Sequence, residues 1–333
     1  MKTLKVLYPL SVFLFVFLLT YVYFHRTATR YQTVVLNTEP TKTDLGLASN
    51  NEADFKEIVL PSYDVDLKLI KAVDSLQRRE PTEIGPVNYE KFRYMLNPKN
   101  VCKGFQKTLT NVLVLVKSAP DHQRLRQWLR LLVKDTAGSY AKNIRMLFLL
   151  GFSEKVNRDL KIEHTKYGDI IQKNFIDTYR NLTYKTQMGY EWATAFCSSA
   201  SFIMFQDDDF FTNVKNVFSF ISKQYKPENV FIGRLVKSGA SVVRDRASKW
   251  FVSNIVFSND VFPPYFPGGS YLVSAEIGRR LSLAFPYVQN IPVDDVYVGL
   301  VASKLGITLK YSALFDFANC QNWSNSLACK AFL

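Results

Sequence analysis

The polar and apolar positions change character near residue 100. From Cys102 onward, short apolar runs alternate with segments whose apolar residues recur at helical spacing. The segments 109–117 (LTNVLVLVK), 144–151 (IRMLFLLG) and 201–206 (SFIMFQ) are nearly unbroken apolar runs, the pattern of strands buried on both faces. Between them, 122–135 places Leu125, Trp128, Leu129 and Leu132 on one helical face, and 153–167 reads as a helix with Ser153 as its cap. The segment 181–197 reads as a helix capped by Asn181, and 213–225 as another helix. This alternation predicts an α/β fold with a mostly parallel central sheet.

Upstream of that body the pattern is different. Residues 6–24 form a charge-free stretch long enough to cross a bilayer as a helix, with Tyr21 and Tyr23 near one end. The alternative, a cleaved signal peptide, ordinarily has a shorter apolar region followed by a small-residue cleavage site, for which only Ala28 offers a match. The expected organisation is a tail at 1–5, a transmembrane signal anchor at 6–24, a stem at 25–100 holding one helix around 64–77, and a folded domain at 101–333. Lysines 2 and 5 before the anchor and arginines 26 and 30 after it leave orientation undecided.

Composition refines this. Hydrophobic residues make up 47% of the 333-residue chain and the formal net charge is +13. That balance fits an anionic partner: nucleic acid, membrane headgroups or a phosphate-bearing small molecule. Nucleic acid ranks last, because the sequence has no zinc-finger spacing, no recognition helix of a known class and no basic run interleaved with aromatics. Four cysteines and two glycosylation sequons, at Asn181 and Asn322, fit a secreted or luminal body.

Two acidic clusters carry the candidate chemistry. Asp207, Asp208 and Asp209 follow directly on the apolar run 201–206. They therefore stand at the carboxyl end of a strand, where open α/β sheets bind ligands. Asp207 and Asp209 share a side in extended chain, and hard carboxylate oxygens beside a diphosphate suit Mn²⁺ or Mg²⁺. The bland alternative is a solvated turn that caps the next helix. A calcium loop is excluded, since Thr212 and Phe218 stand where the required Gly and Glu would be. Asp294 and Asp295 open an amphipathic helix, where one can serve the helix terminus and the other act as a general base. Upstream, Pro263-Pro264 and Gly268-Gly269 form a stiff-then-permissive loop that allows close approach of a ligand.

Taken in order, these segments resemble glycosyltransferase family 31, the β1,3-galactosyltransferases and β1,3-N-acetylglucosaminyltransferases of the Golgi. The resemblance covers nearly all of 102–320. VLVLVKSAPDHQRLRQWLR is similar to the family's first strand and arginine-bearing helix, with Arg126 and Arg130 four apart. The segment 163–197 has Glu163, Tyr167, Asp169, Asp177, Tyr179, Asn181, Lys185, Trp192 and Cys197 in register. FQDDDFFTN, KWFVS, PPYFPGGSYLVS and VDDVYVGLVASKLGI resemble the metal motif, the mid-domain Lys-Trp, the Gly-rich loop and the catalytic acidic motif.

The resemblance implies a GT-A-type fold, a type II topology with the body in the Golgi lumen, a UDP-sugar donor, and Mn²⁺ or Mg²⁺. It implies inverting β1,3 transfer of galactose or N-acetylglucosamine to a glycan hydroxyl on a glycoprotein or glycolipid. Asp209 would hold the metal with Asp207, and Asp295 would be the base. Asp207 and Asp208 would lie at the donor, Arg126 and Arg130 near the nucleotide or in its supporting shell, and Gly268 and Gly269 would border the sugar or acceptor. The chain departs from the family where Phe266 and Val301 stand in place of cysteines, where Leu132-Val133 replaces Thr-Trp, and in having no histidine near its C-terminus. Of three connectivities for the remaining cysteines, Cys102 with Cys197 and Cys320 with Cys329 is the one expected. Those departures motivate a second reading, a catalytically weak member acting as binding or chaperone partner of another Golgi glycosyltransferase. Self-association as a homodimer stays open.

Overall fold

The computed structural model describes residues 64–331, apart from Glu90, 106–109, 225–226, 238–239, Asn319 and 321–322. The tail, the anchor at 6–24 and the sequon Asn322 lie outside the described residues. Among the described residues no helix is long and apolar enough to cross a membrane.

The chain begins with α1 (Leu67–Gln77) and β1 (Tyr94–Leu96). The body then runs β2 (Val112–Lys117), α2 (Gln123–Ala137), β3 (Ile144–Phe152), α3 (Asn157–Tyr167), β4 (Ile170–Ile176), α4 (Leu182–Phe196) and β5 (Phe202–Asp207). It continues with β6 (Phe210–Thr212), α5 (Val214–Ile221), β7 (Phe231–Gly233), β8 (Ser270–Ser274), α6 (Ala275–Ala284) and α7 (Asp294–Lys304). Three short strands close it: β9 (Lys310–Tyr311), β10 (Phe315–Asp316) and β11 (Ala328–Lys330).

The main sheet has the order β1-β4-β3-β2-β5-β8-β7-β9. The run β4-β3-β2-β5 is parallel, but β1, β8 and the β7–β8 pair are antiparallel. The sheet is thus mixed around a parallel centre, a correction to the mostly parallel sheet the sequence predicts. Apolar runs report burial on both faces, not strand direction, so the antiparallel β8 gave no separate signal. A second sheet, β10-β11-β6, lies beside the acidic turn.

Alternation along the central strands divides the core. Val112, Val114 and Val116 of β2 pack with Leu129, Leu160, Val214 and Phe218 on one side of the sheet. Leu113 and Leu115 pack with Tyr190, Trp192, Leu281 and Tyr297 on the other. Each such side chain removed from water contributes roughly 1.5–3 kcal/mol, so the sheet is held between two helical layers.

Helix boundaries follow local bonding more than cap propensity. Asn213 caps α5, its Oδ1 accepting from the Asn216 amide at 3.2 Å. By contrast α3 starts at Asn157 with Val156 before it, and Ser153 stands ahead of the intervening turn at 154–156. Asn181 directly precedes α4 but does not cap it; its side-chain amide donates to the Ile176 carbonyl at 2.8 Å. The segment 64–100 is built into the body. Leu69 and Val73 of α1 are buried in the core, the Asp66 amide donates to the Lys304 carbonyl at 2.9 Å, and β1 extends the sheet. The disulfides join Cys102 to Cys197 and Cys320 to Cys329.

Candidate active site

Three strand ends meet at one edge of the sheet. Lys117 ends β2 and Asp207 ends β5, and the two are direct partners in register. β8 runs the opposite way, so its start lies at the same edge, and the Asp207 amide donates to the Gly269 carbonyl at 2.9 Å. Behind the acidic turn, Gln206 donates to the Phe210 carbonyl at 2.6 Å and is bonded by the Thr212 hydroxyl, which fixes the fold-back from β5 to β6.

Lys117 is the pivot. Its Nζ lies 2.9 Å from Asp294 Oδ2 and 3.1 Å from Asp207 Oδ1. Burial works against its charge, yet the Asp207, Asp294 and Asp295 carboxylates outweigh it and raise its pKa. Asp294 also accepts from the Thr186 hydroxyl at 2.7 Å. Burial opposes its ionisation, but Lys117 and Thr186 hold it below the ordinary carboxylate range. Asp295 is held differently. Its oxygens accept from the Val296 amide at 2.8 Å and the Gly268 amide at 3.1 Å, and no cation pairs with it among the described residues. Burial and the neighbouring Asp294 charge push its pKa up to about 7. The two carboxylates are thereby separated in role: Asp294 stays charged as Lys117's partner, and Asp295 is poised to take or hold a proton.

A cavity of about 530 Å³ opens in front of this edge, lined by Lys117, His122, Ser153, Tyr179, Lys185 and the three aspartates 207–209. Burial, against the pull of Lys117, pushes Asp207 up to about 7. Asp208 accepts from His122 Nδ1 at 2.9 Å and from the Ala119 amide at 3.3 Å. Asp209 faces Lys330 at 3.6 Å. Lys185 is buried and donates to the Ser118 carbonyl at 2.7 Å and to Asp177 at 2.9 Å; burial lowers its pKa.

Among the described residues no three His, Cys, Asp or Glu side chains form a cluster able to hold a metal alone. The donor set still fits a hard divalent cation of the Mg²⁺ or Mn²⁺ kind, which takes one or two carboxylates and completes its shell with substrate phosphates and water. Asp207 and Asp209 both line the cavity, and among the described residues the Asp209 side chain has only a long ion pair.

Arg126 and Arg130 are placed away from the cavity. Arg126 is 0% exposed; it forks onto Glu163 at 2.8 and 2.9 Å and donates to Ser118 Oγ and to the Ala119 and Pro120 carbonyls. Arg130 forks onto Asp169 at 2.7 and 2.8 Å and lies over the Tyr167 ring. Arg126 thereby braces the 118–120 loop that lines the cavity, and Arg130 shares its Glu163 partner. A buried guanidinium needs several acceptors, and these exhaust much of its donor fork. The same is true of others in 163–197: Asp177 holds Lys185, and Trp192 Nε1 donates to Asn97 at 2.8 Å. The sequon at Asn181 is engaged too, since the Thr183 hydroxyl is buried and donates to the Ile291 carbonyl at 2.7 Å.

Lys117, Thr186 and His122 were missed as site residues. The signal for Lys117 was its position, a lysine closing a run of five apolar residues in a central strand.

A family model described as Galactosyltransferase matches residues 126–312, more than half of the chain. The chain belongs to this galactosyltransferase family. The match begins at Arg126 and takes in both acidic clusters. Among individual relatives, a lactosylceramide 1,3-N-acetyl-beta-D-glucosaminyltransferase of Xenopus tropicalis is 31% identical over 239 residues, covering 67% of this chain and 61% of that protein. The beta-1,3-galactosyltransferase brn of Drosophila melanogaster is 32% identical over 231 residues, covering 68% of this chain and 70% of that one. The chain thus spans under two thirds of the length of some family relatives and slightly more of others. A crystal structure of a galactosyltransferase LgtC with donor and acceptor sugar analogs aligns with a TM-score of 0.38 and 13% identity, over 66% of this chain and 86% of that one. A likeness at that level carries nothing about the site.

Proposed function

We propose that the chain is an inverting glycosyltransferase of GT-A type that moves galactose or N-acetylglucosamine from a UDP-sugar to a hydroxyl of a glycan, forming a β1,3 bond. The observation that carries this reading is the position of Asp295: the Gly268 amide that donates to it at 3.1 Å belongs to a residue whose added methyl would stand 3.7 Å from Asp207 Oδ2, at the edge of the cavity lined by Asp207, Asp208 and Asp209. The activities for which the relatives are named, 1,3-N-acetylglucosaminyl and 1,3-galactosyl transfer, support the linkage and the two sugars. A type II Golgi membrane protein whose luminal catalytic body takes in 64–100 as well as the segment from 101 onward agrees with the apolar stretch 6–24. Acceptors would be glycoprotein or glycolipid glycans.

Asp295 takes the proton of the attacking hydroxyl as its oxygen bonds to the anomeric carbon and the bond from that carbon to the UDP oxygen breaks. One displacement inverts the anomeric centre. A divalent cation held by Asp209 and Asp207 would supply charge neutralisation for the departing diphosphate. Lys117 keeps Asp294 ionised; burial and the Asp294 charge keep Asp295 high, against the direct pull of Lys117. The Gly268 amide fixes the carboxylate's direction, which limits the hydroxyl positions from which it can accept.

The test is UDP release by the chain with Mn²⁺, a panel of UDP-sugars and simple β- and α-linked acceptors. Release with one donor, lost in EDTA and reduced about 10²–10⁴-fold in Asp295→Asn, is expected. Folded protein that turns over no donor would overturn the enzyme reading and leave the binding-partner reading.

A further inference from the structure

Between β7 and β8 the chain leaves the sheet for a long excursion. Bridges at Val236–Tyr265 and Ser241–Val261 close its base, and Arg244 ties its two limbs by donating to the Val252 and Asn259 carbonyls at 2.9 and 2.8 Å. Its tip is a tight turn in which the Ala247 amide donates to Asp245 and the Trp250 amide to Ser248 Oγ. This turn presents Trp250 to Tyr179, which precedes α4 and lines the cavity. The indole Nε1 donates to the Tyr179 hydroxyl at 2.9 Å. The Lys249 ammonium sits 5.0 and 4.7 Å from the two ring centroids.

Both rings stay open even so: Trp250 is 47% exposed and Tyr179 44%. Two half-open aromatic rings, fixed to each other across 71 residues of sequence, are a large apolar surface to leave facing water. Trp128, also exposed, is different: it lies on α2 against Phe211 and lines no cavity described above. Tyr179 also feels the chemistry. Burial chiefly raises its hydroxyl, the Trp250 indole opposes the rise, and the charges of Asp295, Asp294 and Asp207 add to it.

A pyranose ring has an apolar C–H face and a rim of hydroxyls, and aromatic side chains beside convergent polar groups are what bind such a shape. We propose that Trp250 and Tyr179 form the platform on which the acceptor's hexose ring stacks, presenting a rim hydroxyl toward Asp295. This assignment rests on the transferase reading above and makes the acceptor's terminal unit a hexopyranose with an unobstructed C–H face.

The experiment uses the wild-type chain, Trp250→Ala, Trp250→Phe and Tyr179→Phe, with circular dichroism to confirm folding. Acceptor and donor KM are measured with lactose and methyl β-N-acetylglucosaminide. Saturation transfer from protein aromatic protons to the same sugars is recorded by NMR with UDP present. Acceptor KM should rise about tenfold or more in Trp250→Ala and be largely restored in Trp250→Phe, with donor KM within about twofold. Saturation of the sugar C–H protons should vanish in Trp250→Ala. An unchanged acceptor KM, or donor and acceptor KM rising together, overturns the platform. If the wild type turns over no donor, the transferase reading fails by itself. The NMR then decides: sugar saturation that depends on Trp250 supports the platform, and absence of saturation in the wild type overturns it.

Discussion

Lys117 Nζ and Asp294 Oδ2 are 2.9 Å apart although 177 residues separate them in the chain. That contact ties the end of β2 to the start of α7, and so ties the candidate metal ligand Asp207 to the candidate base Asp295. Replacing Lys117 by Met should strand Asp294 without its cation. Breaking one partner of a buried pair costs about 3–5 kcal/mol, so the urea midpoint should fall markedly and activity with it. A midpoint within error of wild type would show the pair to be dispensable.

The raised Asp295 carboxyl fixes a pH profile. As a base it must be ionised, so kcat/KM should climb about tenfold per unit up to about pH 7 and then level. Stability should move the other way. The folded carboxyl keeps its proton until about 7, whereas the unfolded one loses it near the ordinary value of 3.8. The folded state therefore binds the extra proton between those values, and this group's contribution to stability drains as pH rises from about 4 to about 7. Denaturation midpoints across that range should show the slope in wild type and a shallower one in Asp295→Asn.

Two glycines separate site from scaffold. A methyl at Gly268 would stand 3.2 Å from Lys117 Nζ and 3.7 Å from Asp207 Oδ2, in the site itself. A methyl at Gly299 would stand 2.3 Å from the Pro264 carbonyl, where α7 presses on backbone. Gly268→Ala should fold normally and lose about tenfold or more in kcat/KM. Gly299→Ala should lower the unfolding free energy by about 1–3 kcal/mol. Thermal melts and kinetics on the same preparations distinguish the two.

Arg126 gives the complementary test. Arg126→Met would leave the Glu163 carboxylate buried with only Arg130 beside it, and the loss should fall on stability, about 3–5 kcal/mol. Donor KM measured below the melting range should change far less than it does for Asp209→Ala.

The same residues show what the chain disclosed in advance. Asp207–Asp209 were legible because charge directly after a buried strand has few structural uses. Asp294–Asp295 were legible because two acids open an apolar helix. Lys117 was not, since a lysine ending a strand reads as an ordinary edge and its partners lie far along the chain. For Arg126 the resemblance left nucleotide and supporting shell open, because arginine is seldom fully buried and only the fold supplies Glu163 and three loop acceptors. Leu67–Gln77 read as part of a stem because it is separated from the body by a proline-bearing stretch, and its packing on α6, with Asp66 bonded to the end of α7, is a tertiary fact.

That packing decides where the chain can be cut. Asp74 bonds Arg280 at 2.9 Å, and Leu69 and Val73 fill the core. A shortened chain starting at residue 101 would carry an open apolar groove where α1 had been, and would clump in solution. One starting just before Asp64 keeps the lid in place, and is the form to express and crystallise.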